Sequence, residues 1–264
     1  MGSLLRYAGI WGAAMRYSIT RQMMFRGDFL IWLVTDTLWI SVNVLAIEVI
    51  YRHTDGIAGW SKFEMLLLIG SALLQQRLFM GLFLTGFYEM GRAIRQGTFD
   101  FFIAQPGSVL FMVSTRRLEL DGISNSLVAA ALVGYSVWQL GIEVTPSIVL
   151  AYFCATVCGV VILYSVMALL SASAFWITKA EGIENGFFTV TEFARLPRQA
   201  YTGIASILVG ASVIVLSSNV PANLLRGAVG WEGVLWLLLS AIGMLWLAAF
   251  VFRRGLARYT SASS

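Results

Sequence analysis

The sequence predicts an all-α fold: a polytopic membrane protein with six transmembrane helices. Three observations predict it. The chain is 58% hydrophobic and 12% charged, where a soluble domain carries about 45–50% apolar and about 25% charged residues. Apolar runs of about 20 residues recur along it, the length a bilayer demands of a helix. Basic residues crowd into alternate connecting segments, as the positive-inside rule orders them.

Each element follows in order. Residues 1–28 precede the first apolar run. In them Leu4, Ala8, Trp11, Met15 and Ile19 recur at helical spacing, while Arg6, Arg16 and Arg21 interrupt the pattern. This suits an N-terminal amphipathic helix lying on the inner membrane face. It serves either as an anchor for the first span or as a lever toward a cytoplasmic partner. The start lacks the compact signal-peptide pattern, so the first span reads as retained. Spans follow over 29–50, 63–84, 120–140, 148–175, 202–218 and 234–252. The fifth is short and rich in Gly, Ser and Ala. Residues 85–119 form an elbow between spans two and three. Residues 219–233 carry Pro221, Gly227, Gly230 and Gly233 yet stay apolar through Leu224, Leu225, Val229 and Trp231. They read as a re-entrant outer segment, tolerated at that depth only where protein buries the irregular backbone. Residues 1–264 form a single transmembrane domain.

The basic residues set the orientation. Before span one stand Arg6, Arg16, Arg21 and Arg26; in the elbow Arg92, Arg95, Arg116 and Arg117; after span four Lys179, Arg195 and Arg198; at the end Arg253, Arg254 and Arg258. These 14 face only three on the other side, Arg52, Lys62 and Arg226. Both termini are therefore expected in the cytoplasm. The net charge of +4 reflects that bias and gives no reason to invoke nucleic acid.

Charges inside the spans are few. Asp36 and Arg77 lie about 10 Å deep from the cytoplasmic side at 1.5 Å per residue, at matching heights on antiparallel helices. Either alone is costly in lipid, so a cross-helix ion pair is expected, with Gln75 and Gln76 adding hydrogen bonds. The pair either pins spans one and two or lines a path. Asp121 and Asn125, one turn apart in span three, either face interfacial water or line the same path. Small residues in spans four and five (Ser165, Ala168, Ser171 and Ala172; Gly203, Ala205, Ser206, Gly210, Ala211 and Ser212) allow close helix packing, a gate or a subunit interface. Cys154 and Cys158 read as packing residues. With His53 the single histidine, neither a metal set nor a catalytic set emerges.

The elbow carries the most information. Phe87, Met90 and Ile94 share one helical face and Glu89, Arg92 and Arg95 the other, with Glu89 and Arg92 spaced to pair. Gly97 ends that helix. The aromatic run "TFDFFIAQPGS" follows, with a Pro-Gly turn, and "VLFMVSTRR" leads back into the membrane. Exposed aromatics mark a docking surface; the alternative is an elbow lying on the membrane.

"FRGDF" (25–29), "IRQGTFDFFIAQP" (94–106) and "SSNVPANLL" (217–225) resemble the membrane subunits of ABC-2-type ATP-binding-cassette transporters. The chain is most similar to the short bacterial permeases of the DUF990 group. Arg95, Gly97, Asp100 and Pro106 match the group's R-x-G-x-L-D-x-L-L-x-x-P pattern, while Phe99, Phe102 and Ile103 replace leucines. The resemblance implies a subunit of an exporter in the bacterial inner membrane, forming half of the translocation path. It implies a second permease half, a related subunit or a copy of this chain. It also implies two copies of a cytoplasmic ATP-binding subunit docked on a coupling helix in the elbow, through Glu89, Arg92, Arg95, Gly97, Asp100, Phe101, Phe102 and Pro106. ATP and Mg would belong to that partner, since this chain has no G-x-x-x-x-G-K-[ST] loop. A secondary transporter driven by an ion gradient, with Asp36, Arg77 and Asp121 as relays, and an intramembrane enzyme are the competing readings.

Overall fold

The longest helical run among the described residues, 62–95, is the element on which three other long helices and the helix Val213–Leu225 pack. In the computed structural model, which describes residues 2–24, 26–105, 107–177, 183–209 and 212–259, this run has three parts. They are α3 (Lys62–Phe79), a π turn (Met80–Leu84) and α4 (Thr85–Arg95). Its start is encoded by S-K-F-E: the Ser61 N–H donates to Glu64 Oε2 at 2.7 Å, half of a capping box. Its end is encoded by Gly97, whose φ of 68° lets the N–H groups of Gly97 and Thr98 return to the Ile94 and Ala93 carbonyls.

Against this run stand α2 (Arg26–Tyr51), α7 (Leu120–Gln139) and α8 (Pro146–Ala172), and α12 (Trp231–Leu256) packs on α8. Thr145 and Pro146 begin α8, the Thr145 hydroxyl accepting from the Ile148 N–H. Five runs among the described residues are long and apolar enough to cross a membrane: 27–51, 62–95, 120–139, 146–175 and 231–256. In lipid, close packing and hydrogen bonds rather than apolar burial hold helices together. Accordingly the π turn meets α7 through paired glycines. A Cβ on Gly122 would lie 2.7 Å from the Gly81 backbone. The outward faces of α2 and α12 stay apolar, with Leu30, Trp32, Trp39, Leu235, Trp236 and Trp246 exposed.

The remaining elements are α1 (Gly2–Met24), α5 (Asp100–Ile103), α6 (Val109–Ser114), α9 (Ile183–Glu192), α10 (Ile204–Leu208) and α11 (Val213–Leu225). The expected fifth span at 202–218 is not one helix. Gly203, at φ 58°, opens the five-residue α10, and α11 starts only at Val213. The expected outer segment is divided as well. Residues 219–225 belong to α11, with Pro221 inside it, while 231–233 open α12, so only 226–230 form a turn.

Contacts with α3 give the direction of this region. We call the end of the bundle holding Arg92, Arg117 and Arg253 the basic end, and the other the far end. Phe187 packs against Phe79, Thr191 meets Gln76, and Gln199 reaches Trp60. The chain therefore runs toward the far end over 187–199. It does so again over α11, where Ser217 meets Gln75 and Arg226 meets Glu64. The residues between these two stretches carry it back. The far end is closed by Arg226, which pairs with Glu64 at 2.7 Å and stacks over buried Trp60 at 3.9 Å.

Candidate functional site

The elbow is built on an aromatic core. Phe99 and Phe102 are buried against Phe175 and Tyr259, with Met90 and Phe252 beneath them. The expectation that its aromatics stand exposed thus holds only for Phe101, at 75% exposure. Phe102 packs inward beneath the Arg116 guanidinium, 5.1 Å away. Glu89 does not pair with Arg92 along the helix; it bonds to Arg117 across the elbow, with Arg116 at 3.9 Å. The crossing pair ties α4 to the stretch of chain entering α7. Arg92, Gln96, Thr98, Phe101, Gln105 and Arg116 then line an open groove of about 440 Å³. Arg95 is exposed and Asp100 half-buried in α5. Gly97 sits at the helix stop, and Pro106 lies outside the described residues.

The structure brings Asp36 and Arg77 together. Arg77 Nη1 donates to Asp36 Oδ2 at 2.7 Å, and the Arg77 side chain is only 5% exposed. Asn125 joins them, donating to Asp36 at 3.3 Å and accepting from Thr37. Asn125 is fully buried in this knot and also donates to the Asp121 carbonyl at 3.0 Å, while the Asp121 side chain is half-buried.

A second polar knot has no counterpart in the sequence reading. Arg195, expected in a cytoplasmic connection, donates to Asn43 at 3.0 Å and to Gln76 at 3.1 Å, and pairs with Glu192 at 2.8 Å. Gln76 also donates to Thr191. One turn further, Ser218 donates to the Ala194 carbonyl and Asn219 accepts from the Arg198 N–H. The 3-10 turns Phe193–Arg195 and Arg198–Ala200 leave backbone groups unpaired, and α11 supplies the partners. Lys179, Gly210 and Ala211 lie outside the described residues.

Helix α1 attaches by polar groups rather than by its apolar stripe. Ala8 and Ile19 are exposed, Trp11 and Met15 half-buried, and the Leu4 side chain lies outside the described residues. The attached face carries Tyr7, Ser18 and Gln22. These accept from the N–H groups of Ser108 at 2.9 Å, Leu118 at 3.1 Å and Leu120 at 2.7 Å. Leu120 opens α7, and Ser108 and Leu118 stand just before α6 and α7, so no helical carbonyl serves these N–H groups. Gln22 also donates to Glu119, which accepts from Thr85 at 3.0 Å and whose N–H donates to the Gly81 carbonyl at 2.8 Å. So α1, the π turn and the start of α7 meet at Glu119. Burial pushes this carboxyl above its ordinary value; the Thr85 hydrogen bond opposes that and Asp121 adds to it. The S-x-x-x-Q spacing of Ser18 and Gln22 was the available signal, and it places both on one face.

One family model, described as ABC-2 family transporter protein, matches residues 37–263. No curated protein and no solved structure matches the chain. The match takes in most of α2, the other long helices, the elbow, the second polar knot and the first one apart from Asp36, and together with the apolar runs it identifies the class. The chain belongs to the ABC-2 family of transporter proteins and is a multi-pass transmembrane permease of that type.

Proposed function

We propose that the chain is the membrane subunit of an ATP-binding-cassette exporter, providing half of the translocation path and driven by a separate cytoplasmic ATPase. The observation that carries this is the elbow groove. Phe101 stands out of it among Arg92, Gln96 and Arg116, on a buried aromatic core packed against α4. An exposed aromatic ringed by polar groups is the form of a docking anchor. The partner ATPase, in two copies, would hold ATP and Mg.

The basic end faces the cytoplasm of a bacterial inner membrane on this reading, and both termini lie there. Arg195 moves to bilayer depth and Arg198 to the far end. Among the described residues eleven basic ones then stand at the basic end against Arg52, Lys62, Arg198 and Arg226, and the bias survives. Residues 183–199 make the sixth crossing in pieces, and α10 and α11 form a hairpin re-entering from the outer side. The partner halves meet on the α2–α9 face. Glu192 is 51% exposed there, at the depth of Gln76, about 21 Å from Lys62 along α3. A half-exposed carboxylate at that depth needs protein or water rather than lipid against it.

The test is gentle purification with mass spectrometry of bound proteins, on wild type and on an Arg92→Glu, Phe101→Ala variant. Loss of a co-purified ATPase from a variant with unchanged thermal midpoint supports the reading. An ATPase retained by the variant, or absent from cross-linked native membranes of the wild type, overturns it.

A further inference from the structure

At the foot of α2 the bundle holds a cavity of about 440 Å³ that the proposed coupling does not use. Helix α1 covers it with Tyr17, Arg21 and Gln22. The foot of α2 gives Asp28, Phe29, Trp32 and Asp36, the π turn gives Met80 and Leu84, and α7 gives Asp121 and Gly122. It is half open, at the level where α2 leaves the basic end and its exposed apolar face begins with Leu30, Ile31 and Trp32.

The charges in it do not cancel internally. Asp36 is held by Arg77, and Arg117, which also reaches the cavity, is held by Glu89 outside it. Glu119 is bonded to Thr85 and Gln22, with the Arg21 and Arg117 charges acting on it from beyond hydrogen-bond distance. That leaves Asp28, Asp121 and Arg21. Among the described residues neither Asp28 nor Asp121 has a cation within 4.0 Å. Two carboxylates beside hydrocarbon gain from a positive group between them. The rings of Trp32, Phe29 and Tyr17 on the same walls favour an ammonium, above all an alkylated one. Arg21, whose charge also acts on Glu119 but which has no carboxylate within 4.0 Å among the described residues, suits one phosphate. An acyl chain attached to such a group has the apolar ridge of α2 to lie on.

We propose that this cavity binds the zwitterionic headgroup of a membrane phospholipid, the ammonium at Asp28 and Asp121 and the phosphate at Arg21, with a chain running along α2. This rests on the membrane placement of the helices and is independent of ATPase docking.

The experiment uses the full chain, stripped of lipid in detergent. Binding of phosphatidylethanolamine, phosphatidylcholine and phosphatidylglycerol with identical chains is followed by native mass spectrometry and thermal shift. The two zwitterionic lipids are expected to bind at least about tenfold tighter than phosphatidylglycerol, the order of one lost charge contact. Asp28→Asn with Asp121→Asn should erase that preference without weakening phosphatidylglycerol. Trp32→Leu, on an exposed position, should weaken phosphatidylcholine more than phosphatidylethanolamine. Equal binding of the three lipids, or a preference that survives the double variant, overturns the proposal. Free phosphoethanolamine competing as well as the lipid also overturns it, by assigning the cavity to a soluble amine. Loss of ATPase co-purification bears on the function proposed above and leaves these lipid measurements unchanged.

Discussion

Gln75→Met should destabilise the protein, and Pro221→Ala should cancel most of the loss. Pro221 has no N–H, so the Ser217 carbonyl four residues earlier loses its helical partner. Gln75 Nε2 reaches across from α3 and donates to that carbonyl at 2.8 Å. Gln75 and Ser217 are each buried, at 1% exposure. The amide has room there because α8 carries Gly159, where a Cβ would collide with the Gln75 carboxamide. A buried acceptor left without a donor costs about 1–3 kcal/mol. Interhelical hydrogen bonds in membrane proteins average about 0.6 and reach about 1.7 kcal/mol, so about 1 kcal/mol is expected. In a chain of this size that is about 2–4 °C in thermal midpoint. In the Pro221→Ala background the backbone at position 221 regains an N–H. That donor takes the Ser217 carbonyl, and Gln75→Met should then cost little. Unfolding of the four proteins in detergent, followed by circular dichroism, measures the coupling. Strict additivity, with Gln75→Met equally costly with or without Pro221, would refute this account of the pair.

The other predictions concern three contacts. Asp36→Arg or Arg77→Asp alone should cost about 3–5 kcal/mol, as for any buried pair broken on one side, and the double swap should recover most of it; a double no better than the worse single sinks the pairing. Gly122→Ala should lower the midpoint by the equivalent of about 1–3 kcal/mol of overpacking, while Gly134→Ala on the same helix, with nothing within 4 Å, should not. Glu119 is held above its ordinary value, mainly by burial. Its contribution is therefore full at pH below the unfolded glutamate value and is lost as pH rises through the raised folded value. Thermal midpoints from pH 4 upward should show that loss in wild type relative to Glu119→Gln; parallel profiles would remove Glu119 from the pH response.

The long helices were legible because a bilayer imposes a length that composition reveals. The heights of Asp36 and Arg77 were legible because helical rise converts residue number into depth. Gly97 was legible because few residues other than glycine accept its φ. Residues 183–199 were not, and the reason is physical. Glu192, Arg195, Pro197 and Arg198 break the apolar run, so the segment reads as a wet connection. It packs against the bundle because Asn43, Gln76 and Asn219, distant in sequence, bond to it. The docking face of α1 was missed for a similar reason. Its role is to accept backbone N–H groups near residues 108–120, and hydropathy does not encode that.

The π turn at Met80–Leu84 has a geometric effect that its contacts alone do not express. A π turn spends one residue more than an α-helix needs. It therefore shifts everything after it by about 100° around the helix axis. The burial of Phe87, Met90 and Ala93 and the outward position of Arg92 and Arg95 both depend on that surplus residue. Removing one residue from 80–84 would leave two sound helices with the arginines swung toward the bundle and the apolar face swung into water. The bearing of the elbow is thus a matter of phase: the membrane helix and the elbow are two dials on one shaft, offset by one residue.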